Sequence, residues 1–213
     1  MGKLLTEALG TFLLVLVILM PGTGAIGIGA ILIALVYMGA SVSGAHYNPA
    51  VTFGFLLRGK IGLGEAIGYV IVQLAGAMLA AGTAWCLLQT PGTIEANAGS
   101  APHQWMLVEI VFTFALCLVI FNVEPEGRRP ANDYFGIAIG LTFMGAVFAG
   151  SRISGGAFNP AVGLGPNLVA AMDGNTECLT PAIWLYTAGP FIGSLLAVVA
   201  TRLQGSPASA EDG

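Results

Sequence analysis

Apolar residues fall into six long runs, approximately 4–20, 25–42, 64–88, 105–122, 134–150 and 180–203. Stretches such as Phe12–Met20 and Ile26–Val36 carry no polar side chain at all. A helix rising about 1.5 Å per residue needs about 20 apolar residues to cross a hydrocarbon core of about 30 Å. Each run therefore predicts one membrane-spanning helix. A membrane β-barrel would instead alternate apolar and polar positions in short segments. Pro21-Gly22 leaves only a tight hairpin between the first two spans. Two shorter apolar segments, 48–58 and 159–170, each open with Asn-Pro and are half a membrane long. Gln89–Gln104 and Glu124–Asp133 read as loops, and the small polar tail Gly205–Gly213 reads as disordered. The predicted fold class is an all-α membrane protein: six transmembrane helices plus two re-entrant half-helices. They are expected to form one transmembrane domain over 1–204, with repeats near 1–100 and 101–204.

Composition removes the competing classes. Of 213 residues, 56% are hydrophobic and only 8% charged, and mean hydropathy is +0.85. A soluble domain carries about 25% charged residues to face water, so a soluble enzyme is excluded. High apolar content with a net charge of −4 excludes disorder. Seven Lys+Arg and a pI near 5.0 leave no basic face for nucleic acid. With six spans, Lys3, Arg58, Lys60, Arg128, Arg129 and Arg202 fall on one side and Arg152 on the other. The excess of basic residues marks the cytoplasmic side, so both termini are expected there, in a bacterial inner membrane or a plasma membrane. The N-terminal run is read as a retained span rather than a signal peptide. Cys86, Cys117 and Cys178 have no metal-ligand spacing and read as small core residues. No metal and no cofactor are expected.

The two halves repeat. Glu7-x-x-x-Thr11-Phe12 matches Glu109-x-x-x-Thr113-Phe114, and Ser-Gly-x-x-x-Asn-Pro-Ala-Val occurs at Ser43–Val51 and again at Ser154–Val162. Three spans separate the copies, so the second is inverted in the membrane. Inverted repeats with broken helices place a site near the bilayer midplane. Asn is a favoured N-cap and Pro suits the first helical position. Two such stubs entering from opposite faces would meet tip to tip. Asn48 and Asn159 then spend their oxygens as caps and turn amide donors to the pore centre. Both positive helix ends point there as well, which admits a neutral oxygen and repels a cation.

Irregular backbone at membrane depth must line a cavity or be buried in protein. The carbonyls of Gly44, Ala45, His46, Gly155, Gly156 and Ala157 are therefore candidates for a ladder of acceptors. Glu7 and Glu109 are intramembrane carboxyls, which need partners. Their symmetric placement predicts that each braces a pore loop. His46 is read as a bracing side chain with a pore-facing carbonyl, and His103 as a solvated residue on the outer side. Glycines at 29, 39, 68, 76, 140, 145, 189 and 193 fit close helix packing.

These motifs, with Ser43-Gly44-Ala45-His46-Tyr47-Asn48-Pro49-Ala50-Val51-Thr52, Gln73-x-x-Gly76, Ser154-Gly155-Gly156-Ala157-Phe158-Asn159-Pro160-Ala161, Gly165-Pro166 and Gly189-Pro190, resemble the major intrinsic protein (aquaporin) family over nearly the whole chain. The resemblance implies a homotetramer in the lipid bilayer with one pore per subunit, passing water and small neutral solutes. It also places a selectivity filter at Ile28, Val147, Gly156 and Val162. Most of the family carry Arg at the position of Val162, and glycerol facilitators usually carry Asp at the position of Gly163. The ring inferred here has no aromatic ring, His or Arg. It is expected to be wider and less polar than a water-only filter, with glycerol, urea, ammonia, hydrogen peroxide or neutral metalloid hydroxides as candidate solutes. Arg152, seven residues before Asn159, is either a vestibule charge or a solvated loop charge. The competing readings are a strict water channel, a coupled secondary transporter, and a structural or adhesive membrane protein. No nucleophile–base pair suggests an enzyme.

Overall fold

The computed structural model describes residues 1–123 and 133–205. The expectations placed on Arg128, Arg129, most of the loop 124–133 and the tail beyond 205 lie outside the described residues. Eight helices follow in order: α1 (Gly2–Leu19), α2 (Gly24–Ser43), α3 (Pro49–Leu57), α4 (Leu63–Leu88), α5 (Pro102–Val123), α6 (Phe135–Ser154), α7 (Pro160–Met172) and α8 (Leu179–Leu203). Six of them are long and apolar enough to cross a membrane. The stubs α3 and α7 are not.

Two boundaries move from their expected places. α5 begins at Pro102, so Pro102-His103-Gln104 belong to the helix rather than to the preceding loop. Pro at the first helical position costs no hydrogen bond. α6 runs on through Ser151 and Arg152 to Ser154, four residues past its apolar run. Its stop is set by Gly155, which adopts φ 87° and returns its N–H to the Ser151 carbonyl. α2 ends the same way, at Gly44 with φ 89°. A left-handed residue after a helix favours glycine.

Within each half, the first helix packs on the third and beside the second: α1 on α4 and α2, α5 on α8 and α6. Across the halves, α2 crosses α6, while each stub is inserted against the other half: α7 on α4, and α3 on α8. Backbone approach at these seams is close. A Cβ on Gly76 would stand 2.5 Å from the Ala8 carbonyl oxygen, and one on Gly193 would stand 2.5 Å from that of Ile110. These are equivalent positions of the repeat. Gly145 does not belong with them, because open space surrounds it. Cys86 is also exposed rather than a core residue, whereas Cys117 and Cys178 are buried.

Candidate functional site

The segments 44–48 and 155–159 carry the backbone across the middle of the bundle. Gly44, Ala45 and Tyr47 have φ of 89°, 52° and 48°, and Gly155, Gly156 and Phe158 have 87°, 70° and 48°. Three left-handed residues in each five-residue stretch turn successive carbonyls away from helical partners. Strained backbone of this kind persists only where its surroundings hold it. Among the described residues, no protein donor reaches the carbonyls of Gly44, Ala45, His46, Gly155, Gly156 or Ala157.

A carboxyl holds each stretch. Glu7 Oε1 accepts from Ser43 Oγ (2.6 Å) and His46 N (2.9 Å), while Oε2 accepts from Tyr47 N (2.7 Å) and Gln73 Nε2 (2.8 Å). Glu109 Oε1 accepts from Ser154 Oγ (2.7 Å) and Ala157 N (3.1 Å), and Oε2 from Phe158 N (2.7 Å). Both side chains are fully buried. Tyrosines of the third helix in each half add a second tie: Tyr69 Oη donates to the Ser43 carbonyl at 2.7 Å and Tyr186 Oη to the Ser154 carbonyl at 2.6 Å. The sequence reading missed this pair. The signal was present as Tyr seven residues before Gly76 and again before Gly193.

The stubs meet by their N-termini. Asn48 Oδ1 accepts from Ala50 N at 2.8 Å, and Asn159 Oδ1 from Ala161 N at 2.9 Å. The two amides then cross. Asn48 Nδ2 donates to the Phe158 carbonyl and Asn159 Nδ2 to the Tyr47 carbonyl, each at 2.9 Å. This amends the expectation that the amide groups are wholly turned to the lumen. One of the two hydrogens on each nitrogen is spent on the opposite loop and one remains. The crossed bonds fix the separation of the two helix ends.

Two cavities carry the candidate site residues. The inner one, about 30 Å³, is lined by Asn48, Asn159, the 44–47 stretch and the side chains of Leu14, Leu32, Val36, Leu116, Ile139 and Phe143, among others. The outer one, about 540 Å³, brings together Ile28, Val147, Gly156 and Val162, with Ile18, Ile94, Ser151 and Arg152 also on its wall. Arg152 thus lies on the last turn of α6, beside the cavity, rather than on a loop. Ile94 was not anticipated. Asn167 places it, accepting from Ile94 N at 3.0 Å and donating to the Ile94 carbonyl at 2.8 Å. The absence of a side chain at 163 has a packing cause, since a Cβ there would collide with Tyr186.

His46 is buried, stacks on Phe55 at 4.4 Å, and shares a 3.1 Å hydrogen bond with Thr52 Oγ1. Gln73 Nε2 also reaches Thr52 Oγ1, at 3.0 Å. His103 is exposed at the start of α5. Among the described residues, no group of His, Cys, Asp and Glu could hold a metal ion.

Comparison with known proteins completes the description. A family model for major intrinsic proteins matches residues 1–200. The chain is 31% identical to glycerol uptake facilitator protein-like 6 of Lactiplantibacillus plantarum, covering 97% of this chain and 99% of that protein. It is 34% identical to nodulin-26 of Glycine max, covering 91% and 74%. It is 32% identical to a probable NIP-type aquaporin of Nicotiana alata, again covering 91% and 74%. The fold is similar to the aquaglyceroporin of Plasmodium falciparum, with a TM-score of 0.81 at 21% identity over 93% of each chain.

Proposed function

The chain belongs to the major intrinsic protein family, and from that premise we propose how its own residues conduct and select. It is an integral, multi-pass membrane protein and a passive channel for water and small uncharged solutes, not an enzyme. The reading assigns the pore centre to Asn48 and Asn159, the acceptor ladder to the carbonyls of 44–46 and 155–157, and the bracing of both loops to Glu7 and Glu109. The ring is assigned to Ile28, Val147, Gly156 and Val162. The unit is a homotetramer in a lipid bilayer, with both termini cytoplasmic.

One observation carries this reading: both helix N-termini converge on a single cavity and are locked there by crossed asparagine bonds. A solute oxygen arriving at that point meets amide donors and two positive helix ends. It can keep acceptors along the unpaired carbonyls on either side. A cation meets the same positive ends without a compensating carboxyl, because Glu7 and Glu109 are turned into the loops. The ring supplies no charge and no aromatic wall, so it admits neutral solutes with apolar surface. Glycerol, urea, ammonia, hydrogen peroxide and neutral metalloid hydroxides form the class to assay.

The test is proteoliposome swelling in a graded series of neutral solutes, with proton leak followed in parallel. Expected are non-saturating solute flux, indifference to ion gradients, and proton leak no greater than that of bare lipid. Saturable flux driven by an ion gradient would replace the channel with a coupled transporter. Placing a guanidinium in the ring with Val162→Arg should depress the largest solutes most. Solute fluxes all untouched by V162R would remove Val162 from the ring.

A further inference from the structure

The two cavities of the lumen are walled by different side chains of α6. Taking the channel reading as its basis, we propose that Phe143 sets the solute size limit at the midplane, and that the outer ring does not. The outer cavity holds about 540 Å³ and contains all four ring residues. The inner cavity, with both pore asparagines, holds about 30 Å³. The space beside the two asparagines is the tighter of the two, so a solute larger than water presses on the side chains that line it.

What can yield at that point is limited. The backbone is pinned by the crossed asparagine bonds and by the Glu7 and Glu109 carboxyls. Only side chains from the surrounding helices remain. Most of them are Leu, Ile or Val, whose branched ends move by rotamer change. Phe143 is the aromatic among those helix side chains, and it is locked. It is 1% exposed, stands edge-on to Phe158 at 6.3 Å and 89°, and Phe158 stands edge-on to Phe112 at 5.5 Å. Swinging Phe143 aside would push on Phe158, whose N–H is held by Glu109. The equivalent position of the first half is Leu32, an aliphatic side chain that lines the same cavity from α2.

Helix geometry separates the two levels. Phe143 and Val147 share the buried face of α6, one turn apart. Val147 opens onto the outer cavity and Phe143 onto the inner one. A solute that has cleared the ring thus comes next to the cavity that Phe143 lines.

The experiment compares glycerol-to-water permeability ratios in proteoliposomes of wild type, Phe143→Ala, Phe143→Val, Phe143→Trp and Val162→Ala, with incorporated protein measured for each. F143A and F143V should raise the ratio by about tenfold or more, the range over which apolar pockets discriminate neighbouring sizes. F143W should lower water flux itself, and V162A should move the ratio less than either smaller variant at 143. F143V keeps more of the packing against Phe158, so it carries the test if F143A does not reach the bilayer. An unchanged ratio in F143V, with V162A raising it, overturns the proposal and returns the size limit to the ring. Wild-type protein that passes no more water than bare lipid would overturn the channel reading itself, a separate failure.

Discussion

The loop before Asn48 and the loop before Asn159 trace the same left-handed path, yet they are held by different amounts of polar chemistry. The first has four donors on Glu7, and behind them a chain from Gln73 through Thr52 to His46. The second has three donors on Glu109. The positions equivalent to Gln73, Thr52 and His46 are Pro190, Gly163 and Ala157, which offer no side-chain donor. The aromatic packing compensates in the opposite sense. Tyr47 fills the space left by Gly10 and reaches the Leu35 carbonyl with its hydroxyl at 3.0 Å, whereas Phe158 packs on Phe112, the residue that replaces Gly10. The backbone conformation thus needs only a carboxyl, a serine and a tyrosine hydroxyl, and the remaining contacts can be polar or apolar.

That minimum set is where the largest effects should fall. Glu7→Ala strands two buried backbone N–H groups, a hydroxyl and an amide, while Glu109→Ala strands two N–H groups and a hydroxyl. Each buried donor left unpaired costs about 1–3 kcal/mol, so either change removes several kcal/mol. Both variants should lose most of the monodisperse, folded population in detergent chromatography, E7A more than E109A. A well-folded E7A beside a collapsed E109A would mean that the Gln73–Thr52–His46 chain holds the first loop without its carboxyl, and the halves would not be equivalent.

The asparagines provide a sharper comparison because their geometry is matched on both sides. Asn48→Ala and Asn159→Ala each lose an N-cap, worth about 0.5–2 kcal/mol, and one crossed bond to the opposite loop. Their thermal midpoints should fall by similar amounts. A difference of more than several degrees would show that one loop depends on the crossed bond and the other does not.

The reach of the sequence follows from what each signal is made of. Six spans were legible because apolar runs of membrane length have few alternatives, and the stubs because Asn-Pro marks a helix start in a segment too short to cross. Glu7 and Glu109 stood out as carboxyls in apolar runs. Their donors were less visible: backbone N–H groups leave no mark on a sequence, and Gln73 lies on a different helix. The crossing of Asn48 and Asn159 to carbonyls 110 and 112 residues away is a tertiary fact, as is the clamp of Asn167 on Ile94. Phe143 was hidden for another reason. An aromatic on an apolar helix reads as core until it is seen on the wall of the cavity that holds both asparagines.

The smallest effect tests whether the halves can be made more alike without harm. Ser194 is fully buried and its Oγ has no hydrogen-bond partner among the described residues, while the equivalent position of the first half is Ala77. The Cys117 thiol lies beside it, but a thiol is a weak partner. On the other side is Gly54, where a Cβ would stand 2.6 Å from Ser194 Oγ, much as a Cβ on Gly165 would stand 2.5 Å from that of Ala77. Burying a hydroxyl without a partner is unfavourable by about 1–3 kcal/mol, so Ser194→Ala should leave the thermal midpoint unchanged or raise it slightly. The reverse exchange, Ala77→Ser, brings an unpaired hydroxyl into the matching α4·α7 contact and should lower it. A clear drop for S194A would reveal that the hydroxyl is satisfied by an internal water between α3, α5 and α8. The second half would then have a polar support of its own, at a different depth from the one around Gln73.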